Sequence, residues 1–428
     1  MQQADTPPAP AATAPIHGHG LLEEASVTQG KLAFSQWLDL FRWIAALLVV
    51  FNHCSNRFIV PITSVDAAHR VPAYYLLSFL GGFGRQAVMI FFVLSGYLVG
   101  GGLWKDSRKS SALDIPKYLI KRLSRLGIVV FPTLLAVFLL DSLGIFVFHG
   151  IGSGVYPQDI LRTLQPGTLV CNAAFLQTAA CKPFGDDNAL WSLFNEFWYY
   201  VLWPLFLLAV TAASKWRRGA FLAAAVGLLT ILSVMQNKEY ALIAPYMVIW
   251  ITGVFVAIIP RPIMRSLPLS AGLFLAALAA DRLLVRRAFV DAHVGYVFLI
   301  DFIIGILFAN MLVTMRARNT LRPPPGKQAN TTLASFSFSL YCIHTPVLMV
   351  FGAALMYYTG TGWGMAPDHA WQWGAIAGAV ALSVTAAYLL SRVTEAHTDK
   401  LRRFLLGVLS AYRLRVSSTA DARKDAVA

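Results

Sequence analysis

Residues 38–58, LDLFRWIAALLVVFNHCSNRF, decide how the rest of the chain is read. The run is apolar over the length a helix needs, about 20 residues, to cross a hydrocarbon core of about 30 Å. Among the ionisable residues in it are Arg42 and His53. At about 100° per residue their spacing returns to nearly the same helix face, about 16 Å further along the axis. One face of one helix therefore leads from a cation near a membrane surface to a titratable imidazole deeper in. Such side chains are costly inside a bilayer unless they face a cavity or a partner, so they mark candidate functional positions. Plainer readings stay open: Arg42 as a boundary arginine that snorkels to the surface, and His53 as a histidine bonded across a helix interface.

The pattern repeats along the chain. Of its 428 residues, 57% are hydrophobic and only 13% are charged. A soluble domain carries about 25% charged residues. Apolar runs fall at 37–57, 76–103, 126–148, 189–212, 219–236, 240–259, 267–285, 295–315, 334–358 and 371–394. They predict an all-α, polytopic transmembrane bundle of about ten spans. The second run is long and rich in glycine, which predicts a bent or broken helix. The seventh is the weakest, because Asp281 and Arg282 lie near its end.

The domain reading follows: a disordered cytoplasmic tail over 1–30, a transmembrane domain over 31–395, and a basic cytoplasmic tail over 396–428. The first segment is rich in Ala, Pro, Gly and Gln and has no apolar period. It lacks the basic and apolar pattern of a cleaved signal peptide.

The net charge of +14 comes from basic residues between the runs. With no separate basic domain, membrane orientation accounts for them and nucleic-acid binding does not. Lys105, Arg108, Lys109, Lys117, Lys121, Arg122 and Arg125 follow the second span. Further clusters follow spans four, six, eight and ten. The opposite loops are poorer in Lys and Arg, with Arg286 and Arg287 as the exception. This predicts both termini inside. Loop 149–188 is then extracytoplasmic, periplasmic in a bacterium. An oxidising compartment permits a disulfide between its Cys171 and Cys181, although spacing alone does not establish one. No cysteine or histidine spacing suggests a metal site.

Three further places hold polar residues inside spans. In GRQAVMIFFVLSGYLVGG, Ser95 precedes Gly96 and Gly100, small residues that allow close helix packing. No Gly-x-Ser-x-Gly elbow surrounds Ser95, so it reads as a supporting residue, not a nucleophile. In KYLIKRLSRLGIVVFP, Arg122 and Arg125 project on one side as a phosphate clamp or as positive-inside anchors. In DNALWSLFNEFWYYVLWP, Ser192, Glu196, Tyr199 and Trp203 share a face. In FSFSLYCIHTPV, Ser337, Tyr341 and His344 share another. Glu196 and His344 need partners there, for function or to hold the bundle together. Asp141 and Asp301 read as structural.

Taken together, LDLFRWIAALLVVFNH, FFVLSGYLV, KRLSRL, LWSLFNEFWYYVLWPL and FSFSLYCIHTPVL resemble the motifs of acyltransferase family 3, in the family's order across residues 38–348. The resemblance implies a bacterial inner-membrane O-acyltransferase with no bound cofactor. Acyl-CoA is the implied co-substrate, with acetyl the default group, and a sugar or glycan is the acceptor. Partners in glycan biosynthesis fit the same picture. The family's Arg and His, separated by ten residues, match Arg42 and His53, with the histidine as catalytic centre. Its Arg-x-x-Arg matches Arg122 and Arg125, associated with the donor on the cytoplasmic side. Its Trp-Ser-Leu…Glu matches Trp191, Ser192 and Glu196, and its Ser-x-x-Leu-Tyr…His-x-Pro matches Ser337, Leu340, Tyr341, His344 and Pro346.

The sequence also departs from the pattern. Ala87-Val88-Met89 stands where an acidic residue often precedes the Phe pair, and Asn195-Glu196 replaces an acidic or Glu-Gln pair. The fused hydrolase-like domain of some members is expected to be missing. The implied catalytic set is His53, Glu196 and His344, with Arg42, Arg122 and Arg125 on the donor and Ser95, Trp191, Ser192 and Tyr341 in support. His53 acts as base toward a sugar hydroxyl or accepts the acyl group itself. Glu196 orients or stabilises its ring, and His344 binds acceptor or polarises the carbonyl. A transporter or flippase of a lipid-linked sugar or carboxylate would also use intramembrane Arg, His and Glu, but the internal repeats usual in such folds are not evident. A polysaccharide polymerase or ligase is a third class, with no need of a CoA clamp.

Overall fold

The computed structural model describes residues 18–67, 70–109, 113–237, 242–284, 294–367 and 369–425. Apart from two isolated bridges, Ile59 with Met365 and Gln177 with Cys181, every regular element among them is helical. A bilayer offers no partner for backbone polar groups, and a helix satisfies its own. Among the described residues, eight helices are long and apolar enough to cross a membrane, and a shorter apolar helix runs over Ile243–Ile258. Each of the ten expected stretches is helical over most of its described residues. The seventh, Leu267–Leu284, is short at 18 residues and carries Asp281 and Arg282 at its end.

Helix α1, Gly18–Phe58, is the axis of the fold. It begins upstream of the expected boundary, so residues 18–30 are helical where a tail is expected. No proline follows Pro15 to stop the helix from growing backward out of the bundle. Residues 1–17 of that tail lie outside the described residues, as do Lys238, Arg286 and Arg287. Ala45, Ala46, Val49 and Val50 on α1 are buried. Such small and β-branched side chains let neighbouring helices approach closely.

The second span is broken, as its glycines predict. It runs as α2 (Pro72–Gly81), α3 (Gly84–Ser95), a π-helical turn over Gly96–Gly100, and α4 (Gly101–Lys109). Helix α5, Ile115–Ser142, is capped by Asp114, whose carboxylate accepts the Lys117 N–H at 3.0 Å. Helix α6 (Pro166–Ala173) lies in the long loop, and α7 (Trp191–Thr211), α8 (Lys215–Met235) and α9 (Ile243–Ile258) follow. Then come α10 (Leu267–Leu284), α11 (Val294–Arg316), the short α12 (Lys327–Ser335), α13 (Ser337–Thr359) and α14 (Ala370–Val393). The expected basic tail is largely helix α15, Thr398–Asp425. It packs on α5, and Arg413 forks onto the Asp114 carboxylate at 2.7 and 2.9 Å. That guanidinium holds the exposed Asp114 carboxyl down at about 2.

Two close packings position the site. Helix α9 crosses α3 and the π turn through Gly96 and Gly253. A Cβ on Gly96 would fall inside the van der Waals shell of the Trp250 carbonyl oxygen, and one on Gly253 inside that of Val93. Loop 149–188 is folded down on the bundle. Cys171 and Cys181 are joined in a disulfide, and Arg57 at the end of α1 pairs with Asp186 at 2.5 Å.

Candidate active site

Helix α13 enters the bundle buried on nearly every side, which brings His344 against α1. The rings of His53 and His344 lie 5.0 Å apart, centroid to centroid. His344 is fully buried, and its Nδ1 lies 3.0 Å from the Leu340 carbonyl oxygen and 2.9 Å from that of Tyr341. Carbonyls only accept, so the proton belongs on Nδ1. The bare Nε2 then accepts from the Thr345 hydroxyl at 3.3 Å. In this tautomer His344 offers a lone pair and no proton to a substrate carbonyl. Among the described residues the His53 ring makes no hydrogen bond, which leaves its nitrogens open to substrate.

A cavity of about 100 Å³ opens from the Arg42 end of the bundle. It gathers seven of the ten expected residues: Arg42, Ser95, Arg122, Arg125, Ser192, Glu196 and Tyr341. The arginines mark one part of it, and much of the rest is apolar, with Val88, Leu98, Val99 and Leu126. At its far side Ser192 and Tyr341 share a hydrogen bond of 2.6 Å, and the Tyr341 hydroxyl donates to the Ala189 carbonyl at 2.8 Å. The two helices singled out by their polar faces, α7 and α13, are joined at this point. Beyond Tyr341 stands His344, ring centres 6.2 Å apart, and then His53. The cavity itself stops short of both histidines. Trp191 also lies off the lining, its ring edge-on to Phe92 at 6.4 Å.

Glu196 takes partners other than His53. Its Oε1 accepts from Ser95 at 3.0 Å and from the Tyr200 hydroxyl, and Trp250 Nε1 donates to Ser95 at 3.2 Å. A carboxylate, two hydroxyls and an indole thus form one network across α3, α7 and α9. Arg42 lies 3.7 Å from Asp39 on its own helix, and Arg122 stacks toward Tyr118 at 5.9 Å. The Nε of Arg122 is buried with no partner.

A second polar cluster, at the Arg57 end, is not predicted from the sequence. Asp186 N–H donates to Asp141 Oδ2 at 3.0 Å, and Tyr156 donates to the other oxygen at 3.3 Å. Asp187 is fully buried beside them, and burial, followed by the carboxylates of Asp141 and Asp186, raises its carboxyl well above the usual range. The legible signal was Arg57 itself, one turn beyond His53 on the same helix. Asp301 is paired, with Arg85 at 2.5 Å and Tyr246 at 2.8 Å.

The family profile described as an acyltransferase domain matches residues 35–392. YrhL of Bacillus subtilis, provisionally named a peptidoglycan O-acetyltransferase, is 30% identical over 176 residues, 37% of this chain and 24% of that protein. OatA of Listeria monocytogenes, named a peptidoglycan O-acetyltransferase, is 31% identical over 148 residues, 32% of this chain and 22% of that protein. The chain therefore covers less than a quarter of either relative's length. No solved structure matches the chain.

Proposed function

The chain belongs to acyltransferase family 3, and from that premise we propose an integral-membrane O-acyltransferase of the bacterial inner membrane, moving an acyl group from acyl-CoA to a sugar or glycan hydroxyl. Acetyl is the default acyl group, in keeping with the names of both relatives. One observation carries the reading: an arginine-lined, otherwise largely apolar cavity that ends one side chain short of a histidine pair. The Arg42 end faces the cytoplasm, where acyl-CoA is made. The disulfide of the 149–188 loop suits the opposite, oxidising side.

In the reaction, Arg122 and Arg125 hold donor phosphate. The thioester passes Tyr341 to reach His53. His53 takes the proton of the acceptor hydroxyl as that oxygen attacks the thioester carbonyl. The tetrahedral species collapses, the carbon–sulfur bond breaks, and the imidazolium returns the proton to the leaving thiolate. The products are an ester and free CoA. His344 is held by its own helix carbonyls and fixes the position of the His53 ring. Glu196 braces the cavity through Ser95 and Tyr200, with no bond to the imidazole.

Purified protein in nanodiscs, labelled acetyl-CoA and a glycan acceptor test this. His53→Ala should lower transfer by at least about a hundredfold. A folded variant with wild-type turnover would remove His53 from the chemistry.

A further inference from the structure

A second cavity of about 330 Å³ lies at the same end of the bundle, where α14 turns into α15. Arg125, Ser391, Arg392, Glu395, Asp399 and Arg402 are among the residues that line it. Arg125 lines the first cavity as well, so the two adjoin at this residue.

The charges are unequally engaged. Glu395 Oε1 accepts both the N–H and the hydroxyl of Ser339 at 2.7 Å, which ties the turn to the start of α13. Asp399 lies 3.0 Å from Arg402 Nη1. Among the described residues Arg125 and Arg392 make no ion pair, and Arg402 Nε is buried with no partner. Three arginines line this space and only Arg402 is ion-paired. That arrangement suits an anion with several oxygens, because guanidinium forks match phosphate geometry.

We propose that this cavity binds the phosphorylated nucleotide end of the donor, through Arg125, Arg392 and Arg402. The inference rests on the acyl-CoA reading given above and extends it to residues that reading leaves out. Arg402 and all of α15 lie beyond the residues the family profile matches. The order of environments follows the order of groups along an acyl-CoA. The 3′-phosphate end meets Arg392 and Arg402, the diphosphate meets Arg125 and Arg122 where the two cavities adjoin, the uncharged pantetheine arm meets the apolar part of the first cavity, and the thioester comes last, toward the histidines.

The probe is 3′,5′-adenosine diphosphate, the nucleotide end of CoA without its arm, titrated against the thermal stability of the full chain in detergent. It should stabilise the wild type. Arg392→Ala and Arg402→Ala should each weaken its binding about tenfold, as expected for loss of one charge-assisted contact. Arg402→Gln serves as a milder variant, and each variant's melting without nucleotide checks that it is folded. In turnover, the same variants should raise the KM for acetyl-CoA and leave that for S-acetylpantetheine, which lacks the nucleotide, unchanged. Acyl transfer with equal nucleotide binding by wild type and variants would overturn the site and spare the proposed function. Nucleotide binding that depends on these arginines without any acyl transfer would overturn the function and spare the site.

Discussion

Tyr341 shows how much one side chain can hold. Its hydroxyl bonds Ser192 and the Ala189 carbonyl, while its ring lies edge-on to Phe91 at 5.7 Å. Tyr341→Phe keeps the ring and removes both bonds, leaving a buried carbonyl and a buried serine short of a partner. The expected cost is about 1–3 kcal/mol, read as a lower melting temperature; an unchanged value would mean that the polar contacts hold nothing. At this scale the sequence showed which residues need partners and seldom which partners they find. Glu196 in a span had to be satisfied, but Ser95 lies about a hundred positions away and only packing brings it near. Arg57 and Asp186 stood in plain view as a basic residue at a helix end and an acidic residue in a loop. Nothing local distinguishes a 2.5 Å pair from two surface charges.

Among the elements, the helices were legible because the membrane leaves the backbone little choice. Apolar length alone located the eight helices of membrane-crossing length among the described residues and the shorter Ile243–Ile258. Their interruptions were less legible. Glycine content in the second span announced a break but not its place, since Gly82 ends one helix and Gly96 opens a π turn within another. The difference lies in what each glycine meets. Gly96 faces the backbone of α9, and Gly253 answers from the other side. Gly253→Ala should therefore force the two helices apart, at about 1–3 kcal/mol. Thermal unfolding in detergent measures it, with Gly227→Ala as control, because a Cβ there meets nothing. Equal stability of the two variants would mean that the crossing is loose. Helix α1 starts upstream of its apolar run for a related reason: composition marks where apolar periodicity ends, and a helix continues beyond that point until a residue stops it.

Across the whole molecule, basic loops suggested a direction and polar residues suggested a route. The route proves discontinuous. Between Arg42 and His53 the face of α1 carries Ala46 and Val50, both fully buried in an apolar cluster with Phe336, Leu340, Ile343 and Val347. The arginine-lined cavity shares no residue with the larger one at the Arg57 end, lined by Asn52, Asn56, Arg85 and Gln86. Two hollows thus open at opposite ends with no lining residue in common among the described residues. The consequence is electrical. A bacterial membrane stores energy as a difference in ion concentration and voltage, and a continuous wet channel through a protein would discharge it. With a recess at each end and apolar packing between them, this bundle is expected to insulate. Proteoliposomes should hold a potassium diffusion potential as long as empty vesicles do, and rapid collapse with the wild-type protein would show that the recesses connect. Tyr341→Ala, which removes the side chain at the end of the arginine-lined recess, is the variant in which leakage should first appear.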